Sequence, residues 1–327
     1  MEFYIERYKN REKLNFQCEV ITPMFISGAN PNEVELRAPS IKGALRFWWR
    51  ALYGNRFSSM EKMRKEESEI FGSTEKKSNV KIFVNGFNNF HISAQNLTNG
   101  RQYTVHGHNL SIFDYLAYGI YEYDNNKQSN GDKRKHITSN SQFTLHLEFS
   151  NSNGTADSIL KSLSCLNSFG GLGAKSRNGF GCIAIKPLDT KITLPMITEF
   201  TGSRKDYTSF NSDCKLFTFQ PQEKWEDALS DIGIAYRTAR LSIKQRHRYE
   251  KRPLLAKPLI VQRENIFING RHAKPYFLHV SKLLNNKYQG SILFIPYNYY
   301  EQNNLAQYNE VCNSMNQKLQ ELSSGGQ

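Results

Sequence analysis

The chain predicts an α+β fold in which two βαββαβ units follow one another, each with an antiparallel sheet. A long insertion is expected in the first. Three observations carry this. Leu14–Met24 and Gln142–Phe149 alternate apolar and polar residues with the period of two that a half-buried strand requires. Amphipathic helical stretches follow them, at Ile41–Tyr53 and Ala156–Phe169. A short apolar run, Cys182–Ile185, then closes a strand, helix, strand, strand, helix, strand order, that of the split-βαβ or ferredoxin-like unit. The 327 residues accommodate two domains of ordinary size, expected at 1–190 and 191–327.

In the first strand Leu14, Phe16, Cys18 and Val20 face inward, and Pro23 ends it. Ser27–Pro39 holds Gly28, Asn30, Pro31 and Pro39 and reads as a loop. Ser40 is placed to cap a helix from about Ile41 to Tyr53, stopped by Gly54-Asn55. Its apolar face is Ile41, Ala44, Leu45, Trp48, Ala51 and Leu52. Ser58–Phe71 reads as a charged helix and Val80–Phe87 as a strand. The insertion, about 91–140, is polar apart from an apolar helical patch at Leu110–Tyr121, and Asp124–Lys135 reads as a solvated loop. Phe143, Leu145, Leu147 and Phe149 are the inward face of the next strand.

After the linker Lys186–Asp213, the second unit is expected to start with strand Lys215–Phe219 and a long helix from Trp225 to about Tyr249. Later strands are expected near Ile260–Ile268, Tyr276–Val280 and Ser291–Pro296, and a closing helix at Leu305–Leu322. No sequence repeat relates the halves, so the second unit rests on element order alone.

Forty-three Lys and Arg against 30 Asp and Glu leave a formal charge of +13, which favours a polyanionic partner. An anionic membrane competes for that role. However, no apolar run approaches the roughly 18 residues of a membrane span, and Met1–Lys13 has no signal-peptide core. The five cysteines are scattered singly, which argues against zinc and a disulfide framework and fits the cytoplasm. No cofactor or metal is expected.

Residues 170–181, GGLGAKSRNGFG, combine five glycines with Lys175 and Arg177 and contain no acid. Glycines let a backbone lie close against a partner, and exposed amides with two cations suit a phosphate-bearing ligand. Ser176 and Asn178 share the stretch. It lacks the Gly-Lys-Ser/Thr ending of a P-loop, so a polynucleotide is favoured over a nucleoside triphosphate.

Two helices carry cations. Lys42, Arg46 and Arg50 recur at i, i+4 and i+8, a single cationic stripe with no carboxylate to pair it. A solvated face is the plain alternative to a phosphate track. Trp48 belongs to the core, whereas Trp49 leans towards the stripe, where a base or a domain interface would engage it. The second, Arg237–Arg252, carries Arg240, Lys244, Arg246 and Arg248 among its cations against one acid, Glu250. Solvated faces usually mix signs, so a nucleic-acid surface is favoured over docking on an acidic subunit. Catalysis has little support. His136, beside Lys133–Lys135, has the chemistry for metal-independent RNA cleavage but sits in the most loop-like stretch. His272 and His279 read as structural.

Thr22-Pro23-Met24-Phe25, followed by Glu35–Arg50 (ELRAPSIKGALRFWWR), resembles the N-terminal signature of the RAMP superfamily of CRISPR proteins. The double Trp resembles more narrowly the first RAMP subunit of the type III-B (Cmr) effector complex. The Gly170–Gly181 loop, Tyr115–Gly119 and Arg271–Pro275 look like further motifs of that group. The resemblance implies two RRM-like domains in a non-catalytic subunit. That subunit would lie near the 3′ part of the guide, help capture target RNA in antiviral defence and assemble with other RAMP subunits. Guide and target RNA would meet Lys42, Arg46, Trp49, Arg50, Lys175, Ser176, Arg177 and Asn178 in one track, and Arg240, Lys244, Arg246 and Arg248 in a second. Two other readings stay open: a RAMP endonuclease processing CRISPR precursor RNA, and a protein scaffold docking through its basic helix.

Overall fold

The computed structural model describes residues 11–95, 97, 99–105, 107–124, 129–132, 134–150, 154–243, 251–261 and 266–324. The chain divides into two compact units, residues 1–97 with 117–199 and residues 98–116 with 200–327. The first unit therefore runs past 190, and part of the expected insertion belongs to the second unit.

The main elements of the first unit are β1 (Arg11–Val20), α1 (Ala38–Tyr53), α2 (Met60–Phe71), β2 (Lys81–Asn85), β3 (Gln142–Ser150), α3 (Thr155–Phe169) and β4 (Ile183–Pro187). The sheet order is β4-β1-β3-β2, antiparallel throughout. Alternation sets the register: Leu14, Phe16 and Cys18 lie opposite Leu147, Leu145 and Phe143, and all six are buried. The other face is polar, with Asn15 bonded to His146 at 2.7 Å and Arg11 paired with Glu148 at 2.6 Å. α1 and α3 lie beside each other, where Trp48 and Phe169 have ring centroids 6.2 Å apart.

Helix ends depart from expectation. α1 starts at Ala38, with Arg37 in the cap position and Pro39 in the first turn, so Ser40 is helical and not a cap. Proline is suited to that first turn because its missing N–H would have no partner there. In α2 Ser59 accepts from the Lys62 amide and Gly72, at φ 77°, ends the helix. Within the insertion, the backbone pairs Tyr121–Asp124 with Ser129–Asp132 where a solvated loop is expected.

The second unit contains β5 (Lys215–Thr218), α4 (Trp225–Ser242), β6 (Lys257–Val261), β7 (Ile266–His272), β8 (Tyr276–Lys282), β9 (Tyr288–Phe294) and α5 (Leu305–Ser324). Its sheet has three strands in the order β5-β9-β8, and β6 and β7 pair as a separate hairpin. The single strand expected near Ile260–Ile268 is thus two strands. α4 buries Ile232, Ala235, Tyr236 and Ala239, as its spacing predicts. It lies so close to β9 that a side chain on Gly290 would meet the Ala228 carbonyl at 2.8 Å. Both units are mixed helix and antiparallel sheet. Among the described residues no helix is long and apolar enough to cross a membrane.

Candidate nucleic-acid interface

The glycine-rich loop folds back on the segment after β1. Ala174 N donates to Phe25 O at 2.8 Å, Gly181 N to Pro23 O at 2.9 Å, and Leu172 N to Gly181 O at 2.9 Å. Two glycines are compelled by this packing. A Cβ on Gly181, at φ 67°, would lie 1.9 Å from the Leu172 carbonyl oxygen. One on Gly173, at φ 85°, would lie 2.4 Å from Phe25 O. The close partner of the loop backbone is therefore the protein itself. Three of the amides expected to face a phosphate, Leu172, Ala174 and Gly181, are spent internally.

What the loop presents instead is side chains, and Lys175, Ser176, Arg177 and Asn178 are all half-buried. Lys175 has φ 60°, a left-handed conformation that a side chain with a Cβ rarely adopts. Burial pulls its ammonium below the usual lysine range, and the neighbouring Arg134 guanidinium pulls it further. Among the described residues no carboxylate pairs with Lys175. Arg177 sets its guanidinium carbon 5.3 Å from the ring centroid of Phe47 on α1. At the start of the loop, Gly170 lies so close to α1 that an added Cβ would meet Trp48 Nε1 at 2.5 Å. Loop and cationic helix, far apart in sequence, thus form one surface.

On α1 the stripe differs from expectation. Glu67 of α2, only 2% exposed, accepts from Arg46 Nε at 2.6 Å and Arg50 Nη1 at 2.7 Å through a single oxygen. The carboxylate comes from the next helix, where a scan of α1 alone would not meet it. Roughly a third of each arginine side chain stays accessible, 37% and 34%, so both retain outward donors. Lys42 is lowered by burial and by Arg46 beside it. Trp49 corrects a second expectation. It is 1% exposed, packs near Tyr53 and Phe57 at 5.4 and 6.1 Å, and has no face for a base. Trp48 is buried as expected.

The middle of the second basic stretch, residues 244–250, lies outside the described residues, so Lys244, Arg246 and Arg248 fall there. α4 ends at Ser242. Arg240 is half-buried and donates to the Tyr115 hydroxyl at 3.2 Å, and Arg237 lies 3.9 Å from the Tyr103 ring centroid. Both hold the 98–116 segment onto α4 within the second unit, so Arg240 is not the outward cation that its charge predicts.

His136 is 3% exposed, packs 5.1 Å from the Phe25 ring, and is pulled below the ordinary histidine range by burial. That environment suits a neutral packing residue rather than an exposed acid or base. His272 and His279 are buried as expected. All five cysteines are free, four of them buried. Among the described residues no group of acids, histidines and cysteines is placed to hold a metal.

A family model of the RAMP superfamily matches residues 17–184, which is 168 of the 327 residues and includes the end of β1, all of α1 and the whole glycine-rich loop. The chain belongs to the RAMP superfamily. Two curated relatives of this RAMP chain come from Pyrococcus furiosus. The CRISPR system Cmr subunit Cmr1-2 is 44% identical over 66 residues, 20% of this chain and 35% of the relative. The subunit Cmr1-1 is 30% identical over 195 residues, 57% of this chain and 52% of the relative. The chain thus spans about half, or less, of these relatives' length.

The crystal structure of Cmr1 from Pyrococcus furiosus in its apo form shares the fold, with a TM-score of 0.53 at 19% identity and 89% coverage of both chains. A chain of the cryo-EM structure of type III-B Cmr-beta bound to cognate target RNA does too. Its TM-score is 0.54 at 15% identity, with 94% of this chain and all of that chain covered.

Proposed function

We propose that this RAMP chain is a non-catalytic, RNA-binding subunit of a type III-B CRISPR effector complex, built as two RRM-like units. It would lie near the 3′ part of the guide, bind guide and target RNA and contact other RAMP subunits. The observation that carries the reading is the convergence of loop and helix, with Arg177 on Phe47 bringing Lys175 and Arg177 beside the α1 stripe. The likeness to two Cmr1 subunits supports the assembly. Lys42, Lys175 and Arg177 form the direct phosphate track, Ser176 and Asn178 add hydrogen bonds, and the outward donors of Arg46 and Arg50 extend it. Arg240 acts as a clamp, while Lys244, Arg246 and Arg248 remain the candidates for a second track. The buried state of His136 favours this reading over an endonuclease using that residue.

Phosphate contacts release counterions, so affinity for single-stranded RNA falls steeply with salt, by a log–log slope of about 0.7 per contact. Arg46→Ala with Arg177→Ala is expected to weaken RNA binding at about 150 mM salt and to flatten that slope by about one unit or more. Unchanged affinity and slope in a filter-binding titration would exclude the track.

A further inference from the structure

The turn Ala117–Ile120 is closed by a hydrogen bond from Ile120 N to Ala117 O at 2.8 Å. Its ends are anchored, with Ala117 and Ile120 buried, and Gly119 at φ 86° supplies the positive angle of the third position. Tyr118 sits at the apex, 81% exposed, the most exposed aromatic ring among the described residues. A ring on a pinned turn has little conformational freedom to lose when something lands on it.

That turn adjoins the loop. The Lys175 ammonium lies 3.9 Å from the position a Cβ on Gly119 would occupy. Arg134 stands close enough to lower the Lys175 ammonium, and among the described residues neither cation has a carboxylate partner. Lysine 175 also holds a left-handed backbone that glycine or asparagine adopts with less strain. Such strain at an unpaired, half-buried cation marks a position set for a ligand. An anion between the two cations would relieve their repulsion, and a flat apolar group would cover the ring.

We propose that Tyr118, Lys175 and Arg134 take one nucleotide of single-stranded RNA, its base stacked on Tyr118 and its phosphate held between the two cations. This rests on the RNA-binding reading above and extends it beyond the α1 track. Because every base has a π-face and none of these groups reads a base edge, the notch tolerates any base.

The test uses the full chain and 5′-labelled single-stranded RNAs of one length, each with an abasic site at a successive position. Stacking contributes enough that Tyr118→Ala is expected to weaken binding about fivefold or more with an unchanged salt slope, since no phosphate contact is lost. Tyr118→Leu should behave like alanine and Tyr118→Phe like the parent. Arg134→Ala should lower the slope by about 0.7. One abasic position should weaken the parent while leaving Tyr118→Ala unaffected. RNA binding by the parent with Tyr118→Ala equal to it overturns the notch alone. A parent chain that binds no RNA at low salt overturns the broader reading as well.

Discussion

Arg46 Nε donates to Glu67 Oε1 at 2.6 Å, tying the cationic stripe of α1 to a carboxylate 21 residues further along the chain. The same oxygen takes Arg50 Nη1 at 2.7 Å, so two cations are oriented by one buried charge. Glu67→Gln keeps the shape and removes the charge. The expected loss is about 1–2 kcal/mol of stability, held down because both arginines keep access to water. RNA affinity at low salt is expected to rise severalfold, as the net charge of the patch grows by one. Urea unfolding and an RNA titration on the same preparation check both halves.

Trp49 is a core residue. Trp49→Ala is expected to cost about 3–5 kcal/mol, the range for removing a fully packed indole. Trp49→Phe should stay folded and bind RNA like the parent. A phenylalanine variant that folds normally yet loses RNA binding would return Trp49 to the interface.

Two glycines separate packing from propensity. Gly181→Ala puts a Cβ 1.9 Å from a carbonyl oxygen on a left-handed backbone, and about 3 kcal/mol or more of stability should be lost. Gly43, exposed in α1, has nothing within 4 Å of an added Cβ. Gly43→Ala should therefore stabilise the chain by about 0.5–1 kcal/mol. Thermal unfolding of the two variants should shift in opposite directions.

Burial holds His136 and His272 below their unfolded value near 6.5, so both are kept neutral in the folded chain. The unfolded chain then binds more protons as the pH falls. Stability is fully present above about pH 6.5 and declines as the pH drops from there towards the lowered folded values. Denaturation midpoints at pH 8 and pH 5.5 measure the decline, and His136→Gln should make it shallower.

Much of the first unit was legible because its signals are local. The alternation in Leu14–Val20 and Gln142–Phe149 fixes which side chains are buried whatever the partner strand. The glycine spacing of 170–181 likewise announced a tight backbone. Ser40 is helical because Pro39, at the adjoining position, also favours a helix start and prevails. The pairing of β6 with β7 is missed when Ile260–Ile268 is taken as one strand, although the polar Gln262–Asn265 stands between its two apolar ends. Tyr118 carried a signal, a Tyr-Gly pair between apolar anchors, but exposure cannot be read from a turn sequence.

The alternating strands, the amphipathic helices and the RAMP motifs are written in the chain because each depends on residues within a few positions of one another, and the positive charge because it is a plain sum. The fate of the cations and aromatics was settled by packing. That packing gave Arg46 and Arg50 to Glu67, buried Trp49, engaged Arg240 with Tyr115, and brought Lys175 to Gly119. A charge seeks the nearest compensating group in space. Chain crossings and packing fix that neighbour, and no periodicity records it.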